Sequence, residues 1–376
     1  MMAGVIAALH PVDRMTSRER MLAAYRGEEV DRLPYWVKVT NDTWRTSQPD
    51  AVRTMSDVEL LDAIGADGIF HADRCVEVVR PHVRTDRRRE DPTETRITHT
   101  PDGDLTERWS LDPYTNSWHP VEFPVKDAGD LKRLRWLYED LRVKAVAGRI
   151  EKARARCRQI GDRGVTHTAW GTSPLMHLVE HVIGPVNVHL MIHEHPDAVE
   201  EVIELMQRHC VRLAESVAAA SPADVVVSLE NTSTTLISPD QFERYCYPYL
   251  CEYGRVIEAA GKIHELHMCG HTRALLRRID TIPASSIEAF TAPTLGNTRL
   301  VDGRTDAPSK TLIGGTNVNT WLMPIEQITS YVQAELDACP DHRRIVLTTA
   351  GVAPPGCPLE TFRQIGRWLA TQPVRT

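Results

Sequence analysis

The feature that most constrains the fold is a series of short β-rich runs separated mostly by helical segments. Each run is four to eight residues long and rich in apolar or β-branched residues, as expected for buried strands. The runs span residues 35–40, 67–72, 164–170, 224–230, 262–268, 285–290, 311–315 and 343–349. This alternation favours a parallel sheet covered by helices.

The helical segments between these runs carry clear end signals. In residues 196–220, apolar residues recur at steps of three and four, which predicts a long amphipathic helix. Ser238 and Gln241 form a capping-box pair, and Pro248 is expected to kink or divide the helix that follows. Eight strands alternating with helices predict a (β/α)8 TIM barrel, whose active site lies where the strands end. The chain has no GxGxxG or GxxxxGK[ST] motif, so nothing supports a dinucleotide or P-loop site.

Residues 73–140 do not fit a plain β/α unit. They contain two alternating runs around Asp102 and Gly103, which predict an inserted hairpin after the second strand. Residues 1–14 are interpreted as a disordered or extended lead-in. Residues 15–376 are predicted to form a single barrel domain that carries the insertion.

Composition limits the partners. The net charge of −7 argues against a nucleic-acid partner, and the arginine-rich run at residues 84–90 is interpreted as a solvated loop. No apolar run approaches the roughly 20 residues that cross a bilayer. With no convincing signal peptide, the cytoplasm is the expected location, and the eight scattered cysteines are not expected to form disulfides.

Polar and metal-capable residues stand at the predicted strand ends. Glu230 and Asn231 follow the fourth strand, and Glu288 lies in the sixth. His267 and Cys269 end the fifth strand in the motif H-x-C-G. Imidazole and thiolate are ligands that suit zinc, so the pair is either a metal site or a packed strand end. His264 and His271 are interpreted as structural, and His177 and His181 as an ordinary helix face.

The stretches at residues 15–36, 237–250, 267–276 and 312–332 resemble the uroporphyrinogen decarboxylase superfamily. H-x-C-G resembles its zinc-dependent branch, which contains methylcobalamin:coenzyme M methyltransferases, epoxyalkane:coenzyme M transferases and related demethylase components. The decarboxylases carry an R-Q-A-G-R motif after the first strand, where this chain has VKVTNDTWRTS. Action on uroporphyrinogen is therefore not expected.

The resemblance implies a Zn²⁺ held by His267, Cys269 and a cysteine after the last strand, with Glu288 at the fourth position. It also implies an alkyl or methyl transferase with a small-molecule alkyl donor and a thiol acceptor. It further implies a methyl group passed to or from a corrinoid, which a separate partner protein would carry because the D-x-H-x-x-G signature is absent here. Glu230, Asn231 and Glu288 are the catalytic candidates. Glu230 and Asn231 either anchor substrate or pair with a neighbouring strand, and Glu288 is either a ligand or a buried strand carboxylate.

The last loop departs from the family pattern G-C-G-I-x-P. Ala350 stands where the cysteine is expected, and Cys357 follows seven residues later. Cys357 is either a displaced zinc ligand or an exposed loop thiol. If the ligand is lost, the alternative is a metal-free, decarboxylase-like lyase of the same superfamily or a protein without catalysis. The oligomeric state and the identities of donor and acceptor do not follow from the sequence.

Overall fold

The computed structural model describes residues 13–114 and 116–376. The predicted lead-in at residues 1–14 lies almost entirely outside these described residues. The strands within them are β1 (Tyr35–Trp36), β2 (Gly68–His71), β3 (Val76–Val79), β4 (Arg84–Glu90), β5 (Thr93–Thr100), β6 (Gly103–Asp112), β7 (Ser117–Glu122), β8 (Arg142–Ala145), β9 (Gly164–Gly171), β10 (Val225–Leu229), β11 (Ile263–His267), β12 (Ser286–Phe290), β13 (Thr311–Gly314) and β14 (Ile345–Thr348).

The α-helices in the same ranges are α1 (Ser17–Arg26), α2 (Asp42–Arg45), α3 (Asp50–Arg53), α4 (Asp57–Ile64), α5 (Ala128–Arg135), α6 (Ala147–Ile160), α7 (Pro174–His177), α8 (Asn187–Glu194), α9 (Pro196–Ala220), α10 (Pro239–Tyr245), α11 (Tyr247–Ala259), α12 (Leu276–Asp280), α13 (Leu300–Asp306), α14 (Ile325–Asp337) and α15 (Leu359–Leu369). Short 3₁₀ turns lie at Gly161–Arg163, Arg273–Leu275 and Val318–Leu322, and a π-helical turn at Leu178–Val182.

The predicted TIM barrel is confirmed. Within the described residues, eight parallel strands follow one another in the order β1, β14, β13, β12, β11, β10, β9 and β2. The N–H of Asp67 donates to the carbonyl of Tyr35 at 2.6 Å and joins the two ends of this sheet. Each β-rich run predicted from the sequence overlaps one of these barrel strands, because short apolar runs between helices are typical of a sheet buried on both faces.

Helix ends follow local sequence chemistry. Ser238 caps α10 in a capping box with Gln241, as predicted. The segment before Gly261 is divided into α10 and α11 at Cys246, and Pro248 lies in the first turn of α11. A proline has no N–H to donate, so it is tolerated at the start of a helix. Helix α9 buries Val199, Ile203 and Met206 on one face, as its spacing predicts.

The region after β2 forms sheets of its own. β5 and β6 pair antiparallel around Asp102 and Gly103 as the predicted hairpin, and β4 and β7 flank them. The interpretation of residues 84–90 as a loop was wrong, because they form β4, which is exposed along its whole length. Arginine-rich runs carry little strand propensity, and pairing with β5 decides the conformation here.

A buried ion network closes the N-terminal end of the barrel. Asp67 is fully buried and accepts hydrogen bonds from Arg20 at 2.6 Å, from Arg32 at 2.9 Å and from the N–H of Tyr35 at 3.0 Å. A buried carboxylate with this many donors is fully compensated. No helix in the described ranges is long and apolar enough to cross a membrane.

Candidate functional site

The C-terminal ends of β11 and β12 bring two candidate residues into contact. His267 and Glu288 are partners in the parallel register, so their side chains lie on the same face. Nδ1 of His267 contacts the carboxylate of Glu288, which is 4% exposed. Adjacent strand ends thus place an imidazole and a carboxylate together on the face where barrel enzymes bind substrate.

Cys269 lies beside this pair. Its thiol is exposed, donates to Oδ1 of Asn231 at 3.3 Å and also interacts with the imidazole of His267. Asn231 in turn donates from Nδ2 to the carboxylate of Glu180 at 2.9 Å. Four residues named by the sequence, His267, Cys269, Asn231 and Glu288, therefore meet at one place.

Lys38 completes the group and was missed by the sequence analysis. It follows β1, forms an ion pair with Glu288 and donates to the carbonyl of Ala350 at 3.1 Å. Its ammonium also lies 5.5 Å from the centre of the Trp36 ring. A lysine within the apolar run YWVKVT was the available signal, because a charged side chain inside a barrel strand needs a partner.

The charges of this group depend on one another. Burial opposes the ionisation of His267, but the negative charge of Glu288 outweighs it and raises the pKa of His267 to about 10. Burial raises the pKa of Glu288, whereas Lys38 and His267 together hold it below its usual range. At neutral pH, the group is therefore a carboxylate between two cations.

Backbone strain is concentrated next to these side chains. Asn231, Ala289 and Ala350 have positive φ values of 46°, 58° and 60°. For residues with a Cβ, this left-handed conformation is unfavourable by about 1–2 kcal/mol each. Strain of this kind persists where the surrounding structure enforces it and is common at functional sites.

Glu230 lies beneath this group. It is fully buried and accepts hydrogen bonds from the N–H of Ser173 at 2.6 Å and from its Oγ at 2.7 Å. Burial raises the pKa of Glu230 to about 7, although the bonds from Ser173 oppose the shift. This placement favours the interpretation that Glu230 fixes the loop after β9 through its hydrogen bonds from Ser173, rather than touching substrate.

Replacing Glu230 with glutamine tests whether its carboxyl group is buried in this way. The pKa is higher in the folded state than its ordinary value of 4.5, so the folded protein holds the proton more tightly. The stabilisation of the folded state that comes from binding this proton is fully present below about pH 4.5 and is lost as the pH rises through about 7. The neutral amide has no charge to bury. The free energy of unfolding of Glu230→Gln, relative to that of wild type, should therefore increase by on the order of 2–3 kcal/mol from pH 5 to pH 8.

The measurement is thermal unfolding of the variant and the wild type at both pH values. Glu326→Gln, which changes an exposed glutamate in the first turn of α14, is the control and should show no such gain. Equal differences between Glu230→Gln and wild type at pH 5 and pH 8 would contradict the assignment.

Cys357 matches neither of its two sequence interpretations. It is 1% exposed and belongs to the hydrophobic core, and its peptide carbonyl accepts a hydrogen bond from the indole of Trp44 at 2.9 Å. Burial raises the pKa of the Cys357 thiol to about 12, so the side chain stays neutral. Among the described residues, the structure does not bring it together with His267 and Cys269 as a set of three ligands, and its thiol donates instead to the carbonyl of Pro358 at 3.8 Å.

Whether a zinc ion fits this place depends on the side chains that are available as ligands. His267 and Cys269 are suitable donors, and Glu288 contacts His267. Among the described residues, however, no three His, Cys, Asp or Glu side chains are arranged to hold a metal ion. Lys38 binds Glu288 and the carbonyl of Ala350, at the loop position where a cysteine was expected. A cation beside the donors repels a second cation, so this set does not fit a resident zinc.

Other histidines and a tryptophan lie on the barrel strands β2 and β9 and on the helical turns after β9. His71 is exposed at the end of β2, and Trp170 is buried with its indole N–H on Ser228 at 2.7 Å. His177 and His181 do not lie on an ordinary α-helical face, because the π-helical turn Leu178–Val182 begins directly after His177. Both histidines line a cavity of about 320 Å³ that reaches Asn231.

Comparison with known proteins gives a family match and a structural match. The family model for uroporphyrinogen decarboxylase (URO-D) matches residues 118–368. A methyltransferase from Methanosarcina mazei has a similar solved structure, with a TM-score of 0.61 and 15% sequence identity over 95% of this chain and 98% of that chain. Identity at this level shows a shared fold. No curated protein sequence matches the chain.

Proposed function

Because the chain belongs to the uroporphyrinogen decarboxylase family, we propose that it is an alkyl or methyl transferase of that family. The group moves from a small-molecule donor to a thiol or to a corrinoid carried by a separate protein. The observation that carries the proposal is the contact of Lys38, Glu288 and His267 beside the exposed thiol of Cys269. The structural similarity to a protein named as a methyltransferase supports it.

The two cations are the groups that the reaction uses. A thiol attacks carbon as a thiolate, and free thiols with pKa values of about 8.5 are mostly protonated at neutral pH. Positive charge on Lys38 and His267 favours the ionised form of an acceptor thiol bound near them. The acceptor sulfur then forms a bond to the alkyl carbon while the bond between that carbon and the donor breaks.

His267 is placed to supply a proton to the leaving group. Its ring is held by Glu288 and lies at the solvent-facing end of β11. The proton lost by the acceptor thiol restores the imidazolium, so a thioether and a protonated leaving group are the products. Asn231 contacts both Cys269 and Glu180 and therefore fixes the part of the adjoining cavity wall that lies beside Cys269.

Zinc dependence remains a prediction of the sequence. The sequence names His267, Cys269 and Glu288 for that site, and the pairing of Lys38 with Glu288 is the observation against it. The reaction proposed above does not use zinc, because Lys38 and His267 supply the positive charge that favours the thiolate, and Lys38 pairs with Glu288. A second candidate function is a metal-free lyase, which the pairing of Lys38 with Glu288 also supports.

The experiment uses the purified chain with methylcobalamin and a small thiol, and separately with cob(I)alamin and an aryl methyl ether. Methyl thioether is measured by gas chromatography, and methylation of the corrinoid by its absorption spectrum. We expect a rate above that of the uncatalysed reaction in at least one arm. If neither arm exceeds that rate, and CO₂ is released from carboxylated substrates, the lyase replaces the transferase.

A further inference from the structure

The cavity beside the strand ends has a positively charged mouth. Arg74 and Arg80 line it, and both are exposed. Arg74 donates to the carbonyl of Trp170 at 3.3 Å, and Nε of Arg80 donates to the carbonyl of Leu137 at 3.1 Å. In the part of the chain that the structure describes, neither guanidinium forms an ion pair with a carboxylate. Each therefore keeps N–H donors for an anion.

The wall of the cavity holds polar atoms that lack partners. His209 is 5% exposed, and its Nδ1 has no hydrogen-bond partner among the described residues. The same holds for Nδ1 of His181 and for Oε1 of Glu180, both shut off from solvent. Buried polar atoms are almost always hydrogen-bonded, so unpartnered atoms on three side chains that line one cavity point to a hydrogen-bonding ligand there.

Charges facing the cavity favour an anion. Burial lowers the pKa of His209 and His181, so their rings are neutral at neutral pH. Burial also raises the pKa of Glu180, whose other oxygen accepts from Asn231. The charge of the guanidinium pair is thus opposed by one carboxyl group at most. That carboxyl group can itself donate a hydrogen bond when protonated.

Much of the remaining wall is apolar. Trp170, Met206, Leu213 and Leu229 line the cavity, and Trp170 and Met206 are buried. The volume of about 320 Å³ is at the small end of the range for ligand sites. The apolar wall therefore fits a small ring or short chain, with the charged end of the ligand at the arginines.

We propose that this cavity binds a small molecule with an apolar body and one carboxylate, held at Arg74 and Arg80. The π-helical turn Leu178–Val182 presents Glu180 and His181 to the same ligand. Asn231 lines the cavity and also accepts a hydrogen bond from Cys269, so the part of the ligand that reaches Asn231 approaches the thiol of Cys269. We also assign this molecule as the donor of the transferred group, and that assignment rests on the proposed function.

The test is isothermal titration calorimetry with benzoate and its neutral isostere benzamide, which need no turnover. We expect benzoate to bind about tenfold more tightly than benzamide at low salt, because a guanidinium forms a stronger hydrogen bond to a carboxylate than to a neutral amide. Arg74→Met and Arg80→Met should each weaken benzoate binding about fivefold or more and leave benzamide binding unchanged.

Arg154→Met is the matched control, because Arg154 is exposed and pairs with Glu151 away from the cavity. It should bind benzoate as the wild type does. Equal binding of benzoate and benzamide to the wild type, or benzoate binding that is unchanged in both cavity variants, overturns the proposal. A chain that prefers benzoate yet transfers no methyl group supports the cavity assignment and refutes the donor role, so the two failures are distinguishable.

Discussion

Replacement of His267 with alanine is expected to lower kcat/KM for alkyl transfer by about a thousandfold, which is within the range measured for loss of a general acid. The change removes the proton donor and also leaves Glu288 paired with Lys38 alone. The loss should fall mainly on kcat, because a proton delivered to the leaving group acts in the transition state rather than in substrate binding. Single-turnover rates of wild type and variant provide the measurement.

His271→Ala is the control for this experiment, because it alters a histidine in the same segment. The hydrogen bonds from Thr234 go to the backbone carbonyl of His271, so they survive loss of its side chain. We expect nearly wild-type rates in this variant. Retention of more than a tenth of wild-type kcat in His267→Ala would show that another group supplies the proton.

Replacement of Lys38 with methionine is expected to raise the affinity of the site for zinc by at least about a hundredfold. A unit charge about 4 Å from another contributes about 4 kcal/mol of repulsion at a partly exposed site, and 1.4 kcal/mol corresponds to tenfold in affinity. Methionine keeps the length of the side chain, removes the ammonium and frees Glu288 as a third donor. Zinc content and competition with a chromophoric chelator measure the change.

Lys152→Met is the matched control. Lys152 forms an ion pair with Asp73 at 2.7 Å, and both side chains are exposed. The zinc affinity of Lys152→Met should equal that of the wild type. Tight, stoichiometric zinc in the wild-type chain that is lost in Cys269→Ala would contradict the role of Lys38 and restore the zinc site predicted from H-x-C-G.

Much of the barrel could be predicted because the signals are local. The run at residues 262–268 and the observed strand Ile263–His267 agree within one residue at each end, and the capping pair of Ser238 and Gln241 is observed directly. Apolar runs, capping side chains and proline act on neighbours a few residues away, so they retain their meaning in an isolated sequence. The exposed strand Arg84–Glu90 escaped prediction because its conformation depends on its pairing partner.

The sequence by itself determined the alternation of strands and helices, and with it the ring of strand ends that holds His267, Glu288 and Asn231. Tertiary structure decided what each of these groups does. Lys38 reaches Glu288, 250 residues later in the chain, because barrel closure brings the two strand ends together. The same closure buries Cys357 and Glu230. Contacts between residues so far apart are set by packing and charge in the closed barrel, which no local pattern encodes.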